Sequence, residues 1–136
     1  MNQGAIGVGF VMSFVDADVF GGDELFKEQI GQIPYSVIST FEYENNIFPE
    51  PTGVVIFGQE AQGIQLKGHI PLIDELKQFQ TGMVSAPLSD DGLVRTLPLL
   101  FKTPTGWIPT FGTQVLKSLA NSDTFIIRTN EYGIEE

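Results

Sequence analysis

Two apolar runs, Met83–Ala86 and Leu93–Phe101, meet at the acidic segment Asp90-Asp91-Gly92, and this reversal constrains the chain more than any other stretch. Aspartate bonds its own backbone in turns, and glycine adopts positive φ without a Cβ penalty, so Asp91-Gly92 predicts a tight turn. A turn there carries Arg95 back towards the acidic pair. Asp90, Asp91 and Arg95 then form either a structural ion pair or the polar end of a binding site. An arginine inside an apolar run needs a partner if it is buried. A guanidinium equally suits a carboxylate or phosphate ligand, so both alternatives stay open. Pro98 supplies no ladder donor, which makes the second arm an edge strand or a bulged one.

The other segments alternate between strand-like and helix-like patterns. Ala5–Phe14 is apolar on both faces, as a buried central strand is. Asp16 and Asp18 follow at its exit, where ligands of open α/β sheets bind, a solvated acidic loop being the plainer alternative. Asp23 predicts the N-cap of a short helix over Glu24–Gln32. Tyr35–Tyr43 is aromatic and β-branched and predicts the next strand. Glu44–Gly53 is a surface loop, Val54–Phe57 a short strand, and Gly58–Gly68 a polar loop. Leu72, Leu76 and Phe79 share one face of a helix predicted over Pro71–Phe79.

Beyond the acidic turn, Thr103-Pro104-Thr105-Gly106 is a second turn signal, and Trp107-Ile108 begins a strand that returns alongside the arm before it. Phe111, Val115, Leu116 and Leu119 give a helix over Pro109–Ala120 its apolar face, and Thr124–Thr129 is the last strand. Glu131–Glu136 is expected to fray. This alternation predicts one layered domain of α/β or α+β class, a mixed central sheet flanked by helices, without an internal repeat or boundary.

With 42% hydrophobic and 18% charged residues in 136, the chain has the makeup of a soluble globular core. Seven basic residues against 17 acidic ones give a formal charge of −10, which argues against nucleic-acid and anionic-membrane partners. Without cysteine there are no disulfides, thiolate metal sites or cysteine nucleophiles. Ala5–Val15 is too short to span a bilayer, and the start lacks the basic region of a signal peptide.

The single histidine, His69, has no HxH, HExxH or Ser-His-Asp context and reads as a surface or capping residue. Gly7-Val8-Gly9 lacks the third glycine of a dinucleotide fingerprint, and no phosphate-cradling loop is present. Neither a metal nor a cofactor is expected. A small acid–base hydrolase using Asp16, Asp18, Asp90 or Asp91 lacks an activated nucleophile or general base, so a non-enzyme is the expectation. Gly21-Gly22-Asp23-Glu24-Leu25 resembles the GGDEF signature of diguanylate cyclases, but the nucleotide-binding elements that accompany that motif are missing.

Met83–Leu119 carries a broader likeness. Asp90-Asp91-Gly92-Leu93-Val94-Arg95, then Leu97-Pro98-Leu99, Gly106 and the helix from Pro109, resemble the C-terminal half of a CHASE-two domain. Gly4-Ala5, the strand to Phe14, Asp18 and Asp23-Glu24 resemble that family's earlier strand and acidic-loop segment. In its D-x-D-G-x-x-R-like core the family's first aspartate corresponds to Ser89, while Asp91, Gly92 and Arg95 are in place.

The resemblance implies an extracytoplasmic sensory domain of a bacterial transmembrane receptor, periplasmic or extracellular, that controls a cytoplasmic output domain. It also implies that the family's first strand and its membrane segments lie outside this sequence, so membrane contact comes only through them. The expected partner is an unidentified small molecule or protein, with a homodimer left open. Asp91, Gly92, Arg95, Asp16 and Asp18 are the candidate ligand-binding or anchoring residues. A structural or dimerisation module without a small ligand is the alternative.

Overall fold

The structure is a computed structural model that describes residues 4–13, 20–51, 54–58, 63–86, 88–122, 124–130 and 133–134. Strand β2 (Ser36–Glu42) organises it. Val37, Ile38, Ser39 and Thr40 are all buried, so both faces of β2 are covered. Along one edge lie β1 (Val8–Phe10), parallel, and β4 (His69–Ile70), antiparallel. Along the other runs β5 (Gln80–Val84), parallel over five residues from Val37↔Gln80 to Phe41↔Val84. Buried hydroxyls need partners. Ser39 Oγ accepts from Met12 N and donates to Met12 O, both at 3.1 Å, which ties the segment after β1 to the central strand.

The sheet is mixed and has helices on both faces, the layered α/β arrangement that the alternation predicts. Helix α1 (Gly22–Gly31) covers one face through Ile30, which packs with Ile38, Leu72, Ile73 and Leu76, while Phe10, Phe26 and Phe79 close the cluster. The rings of Phe10 and Phe26 meet edge to face with centroids 5.4 Å apart. Helix α2 (Phe111–Leu119) covers the other face. It sits close because Gly82 offers no side chain. A Cβ there would lie 2.5 Å from Phe111 Cα, a backbone atom that cannot step aside.

The sheet continues past β5 through a parallel bridge from Met83 to Thr110, into the hairpin of β6 (Leu100–Thr103) and β7 (Gly106–Pro109). Thr103 Oγ1 closes its turn, donating to Gly106 O and accepting from Gly106 N. Phe101 and Ile108 pack there with Leu66, Met83 and Phe48. A further sheet pairs β3 (Val54–Gly58) in parallel with β8 (Phe125–Asn130), and β9 (Gly133–Ile134) antiparallel to β8. It meets the hairpin where Ile127 packs on Leu100 and Trp107.

Several elements depart from the sequence expectation. The first strand pairs only over Val8–Phe10, with Val11 and Met12 exposed, so it flanks the sheet at β2 instead of running through its core. Asp23 is in the first turn of α1, where its charge complements the helix dipole, while Gly21 in a left-handed conformation takes the N-cap position. The helix predicted over Pro71–Phe79 is a single 3₁₀ turn at Asp74–Leu76. Ile73 is extended, with ψ 153°, and pairing with β2 begins at Gln80, which leaves no length for a helix. Leu72 and Leu76 still bury as that pattern implies, and Phe79 packs against them.

The second apolar arm forms no strand until Leu100: residues 93–99 join no strand ladder among the described residues, although Leu99 O accepts from Thr110 N at 3.1 Å, and Leu93, Val94, Leu97 and Leu99 are exposed. Pro98, without a donor, sits in that stretch. The expected fraying end instead includes β9 on β8.

Candidate functional site

The largest departure is in α2. Its apolar pattern predicts that Leu116 and Leu119 face inward, yet Leu116 is 66% exposed and the buried residues are Gln114, Lys117 and Ser118. These occupy i, i+3 and i+4, one face of a helix. A polar stripe turned to the interior costs stability unless its groups find partners. Gln80, at the start of β5, supplies one: its Oε1 accepts from Gln114 Nε2 at 3.2 Å and from Ser118 Oγ.

This stripe borders a cleft of about 670 Å³ beside β5. Thr40, Thr81 and Met83 come from the sheet, His69 from β4, Ile108 and Pro109 from β7, and Gln114 and Lys117 from α2. Ile47–Glu50 and Lys77–Phe79 complete the rim.

The expectation of a surface or capping His69 is corrected: it is only 7% exposed and lines the cleft. The chain hooks back to hold it. Ile47 O accepts from both His69 N and His69 Nδ1, each at 2.8 Å, and Asn45 Nδ2 donates to His69 O at the same distance. A carbonyl oxygen only accepts, so Nδ1 carries the hydrogen. Among the described residues Nε2 has no partner, and no buried side-chain nitrogen or oxygen is left unpaired, so Nε2 keeps some accessible surface. Gln114 likewise engages Gln80 with one end of its amide and leaves the other free. Thr40 Oγ1 makes only a long contact of 3.9 Å to Met83 Sδ.

Chemically, the cleft joins apolar walls from Phe48, Leu72, Phe79 and Met83 to a few fixed polar groups, the makeup of a small-molecule site. Among the described residues the charged ones that line it are Lys77, Lys117 and Glu50, and Lys77 is paired with Asp74. No group of three or more potential metal ligands exists among the described residues, and none of their helices is long and apolar enough to cross a membrane.

The acidic turn is elsewhere, on neither this cleft nor the smaller one near Tyr35 and Ser122. Gly92, at φ 78°, takes the positive φ expected of it, and Gly92 N donates to Ser89 O at 2.8 Å. Asp91 Oδ1 accepts from Leu93 N at 3.2 Å, an Asx turn, while its Oδ2 accepts from Arg95 Nε at 3.1 Å and from Arg95 Nη2. Arg95 thus pairs with Asp91, but in solvent: both side chains are about half exposed. The arginine and the Leu93 amide hold the Asp91 carboxyl below its ordinary range. Asp90 makes no ion pair with Arg95. Asp16 and Asp18 lie outside the described residues.

Sequence reasoning therefore found the turn and missed the cleft. The signal available was the 114, 117, 118 spacing, a polar face on a helix whose leucines drew attention to its other side. Compared with known proteins, the chain matches no family model, no curated protein and no solved structure.

Proposed function

We propose that the chain is a ligand-binding sensory domain, held outside the cytoplasm as part of a bacterial transmembrane receptor, with the cleft between β4, β5 and α2 as its ligand site. The observation that carries the ligand-binding reading is the inward polar stripe of α2 facing His69 across that cleft. Polar groups in such positions are costly to stability and useful to recognition, since each aims a defined donor or acceptor at a guest. The receptor context is supported by the CHASE-two-like residues Asp91, Gly92 and Arg95, which form one ordered turn. Signalling then follows from differential affinity: a ligand that prefers one receptor conformation shifts the population towards it.

Thermal denaturation against a panel of small metabolites tests the ligand site. A specific ligand raises the melting temperature by mass action, by about 2.7 kcal/mol of stabilisation at a hundredfold excess over Kd. A panel that leaves both the melting temperature and the Met83 methyl resonance unmoved removes the reading.

The second reading, a dimerisation module, is favoured by the unpaired arm. Leu97 and Leu99 are each about 70% exposed on a soluble surface that ordinarily covers such groups. Sedimentation over a range of concentrations separates the readings. Under the dimer reading the chain associates and Leu97→Ser dissociates it; under the ligand reading the chain is a monomer and the substitution changes nothing.

A further inference from the structure

Three buried polar side chains that line the cleft keep hydrogen-bonding positions that the protein itself does not use. Gln114, 5% exposed, gives Nε2 to Gln80 Oε1, and its own Oε1 has no partner among the described residues. His69 gives Nδ1–H to Ile47 O and keeps Nε2. Thr40, 6% exposed, has only the long contact of Oγ1 to Met83 Sδ. These residues come from α2, β4 and β2, so each asks for a partner at a different place on one guest. Thr81 adds a second hydroxyl on the face of the sheet that carries Thr40, since it pairs with Ile38, two residues before Thr40.

The charged groups of the cleft are less available. Lys77 pairs with Asp74, Lys117 is engaged within the protein, and Glu50 stands exposed at the rim. Recognition therefore falls to the hydrogen-bonding groups. A hydroxyl suits all of them: it donates to the Gln114 carbonyl oxygen and exchanges roles with a threonine hydroxyl. At His69 it donates to Nε2 as a lone pair or accepts from it as N–H, whichever protonation state the ring adopts. An amide, whose donors and acceptor are fixed, lacks that freedom.

Resting on the reading of the cleft as a ligand site, we infer that its ligand is an uncharged cyclic polyol, a sugar or cyclitol, whose hydroxyls pair with Gln114, His69 and Thr40. Such a ring carries several hydroxyls around an apolar C–H face, which matches a cleft whose apolar residues include Phe48 and Phe79. The volume of about 670 Å³ is in the range of small-molecule sites.

Titration calorimetry and the Met83 methyl resonance, read first against the D-aldohexoses and myo-inositol, test this. The amino and carboxylate analogues of whichever member binds most tightly follow. The uncharged polyol is expected to bind more tightly than both charged analogues. Thr40→Val, which keeps the shape and removes the hydroxyl, is expected to weaken it about three- to tenfold, the scale of one hydrogen bond, and Thr40→Ser to restore it. One monodeoxy form of the polyol is expected to bind the parent and Thr40→Val equally, because the hydroxyl that meets Thr40 is already absent.

A charged analogue that binds more tightly than the uncharged polyol overturns the assignment. A Thr40→Val loss shared by every monodeoxy form marks general packing and overturns the pairing with Thr40. A panel of hexoses and inositol that leaves the Met83 methyl resonance unmoved overturns the polyol assignment as a whole; the ligand site itself falls only if the wider metabolite panel also fails.

Discussion

The cleft and the acidic turn are both built around a hydrogen-bonded polar group, and they differ in what water does for them. At the turn, Asp91 and Arg95 share a carboxylate in solvent, where the pair is screened and separation costs little. In the cleft, His69 and Gln114 are almost wholly buried, and each is held by one protein partner while a second position stays open. Buried polar groups in that half-committed state are what a guest can complete. Conspicuous charge marks the stable part of the surface, and inconspicuous amides and an imidazole mark the place where binding energy is available.

Substitutions that act on one region and spare the other sharpen this contrast. The largest effect is expected from Gly82→Val, because the new side chain meets the Phe111 backbone and pushes α2 from the sheet. A loss of about 1–3 kcal/mol in chemical denaturation is expected, as for other overpacked sites, together with a changed cleft. An unchanged midpoint would show that α2 is not seated as described.

His69→Ala follows. It removes the ring that donates to Ile47 O and leaves a void between β4 and the loop, with an expected loss of about 2 kcal/mol by denaturant titration. The Asn45–His69 carbonyl bond is a backbone contact and persists. A variant as stable as the parent would place the ring outside the packed interior.

The smallest effect belongs to the turn. The Asp91 carboxyl is held below its ordinary range, so its contribution to stability is present above the unfolded value of 3.8 and is lost as the pH falls through the lower folded one. Solvent exposure and screening keep that contribution small. Asp91→Asn is therefore expected to melt close to the parent at neutral pH, with any difference vanishing in strong acid and in high salt. Ligand binding in the cleft is expected to be indifferent to it, and a loss of affinity would join the two regions that the fold keeps apart.

Local chemistry made much of the molecule legible before its structure. The Asp91-Gly92 turn, strands β2, β3, β7 and β8, and the positions of helices α1 and α2 all follow from signals carried within a few residues of one another, whereas the partner of Arg95 stayed open between the acids and a ligand. Leu72 and Leu76 were legible as buried, though not as part of a 3₁₀ turn, because burial needs only apolarity whereas helix length depends on where strand pairing begins. The apolar arm after the turn read as a strand because its composition suits one, yet a strand needs a neighbouring ladder, and residues 93–99 join none among the described residues.

The candidate site belongs to the second class. His69 looked solitary because its partner, Ile47 O, is 22 residues away and is a backbone atom that no side-chain pattern announces. The polar face of α2 turns inward because Gly82 admits the helix and Gln80 receives its amide, two facts about β5 and not about the helix. The sequence by itself determined the class of fold, the acidic turn and the burial of Leu72 and Leu76, since these rest on short-range conformational preference and hydrophobicity. Only the tertiary structure decided which polar groups share a cavity, because that depends on strand register and on how closely one element approaches another.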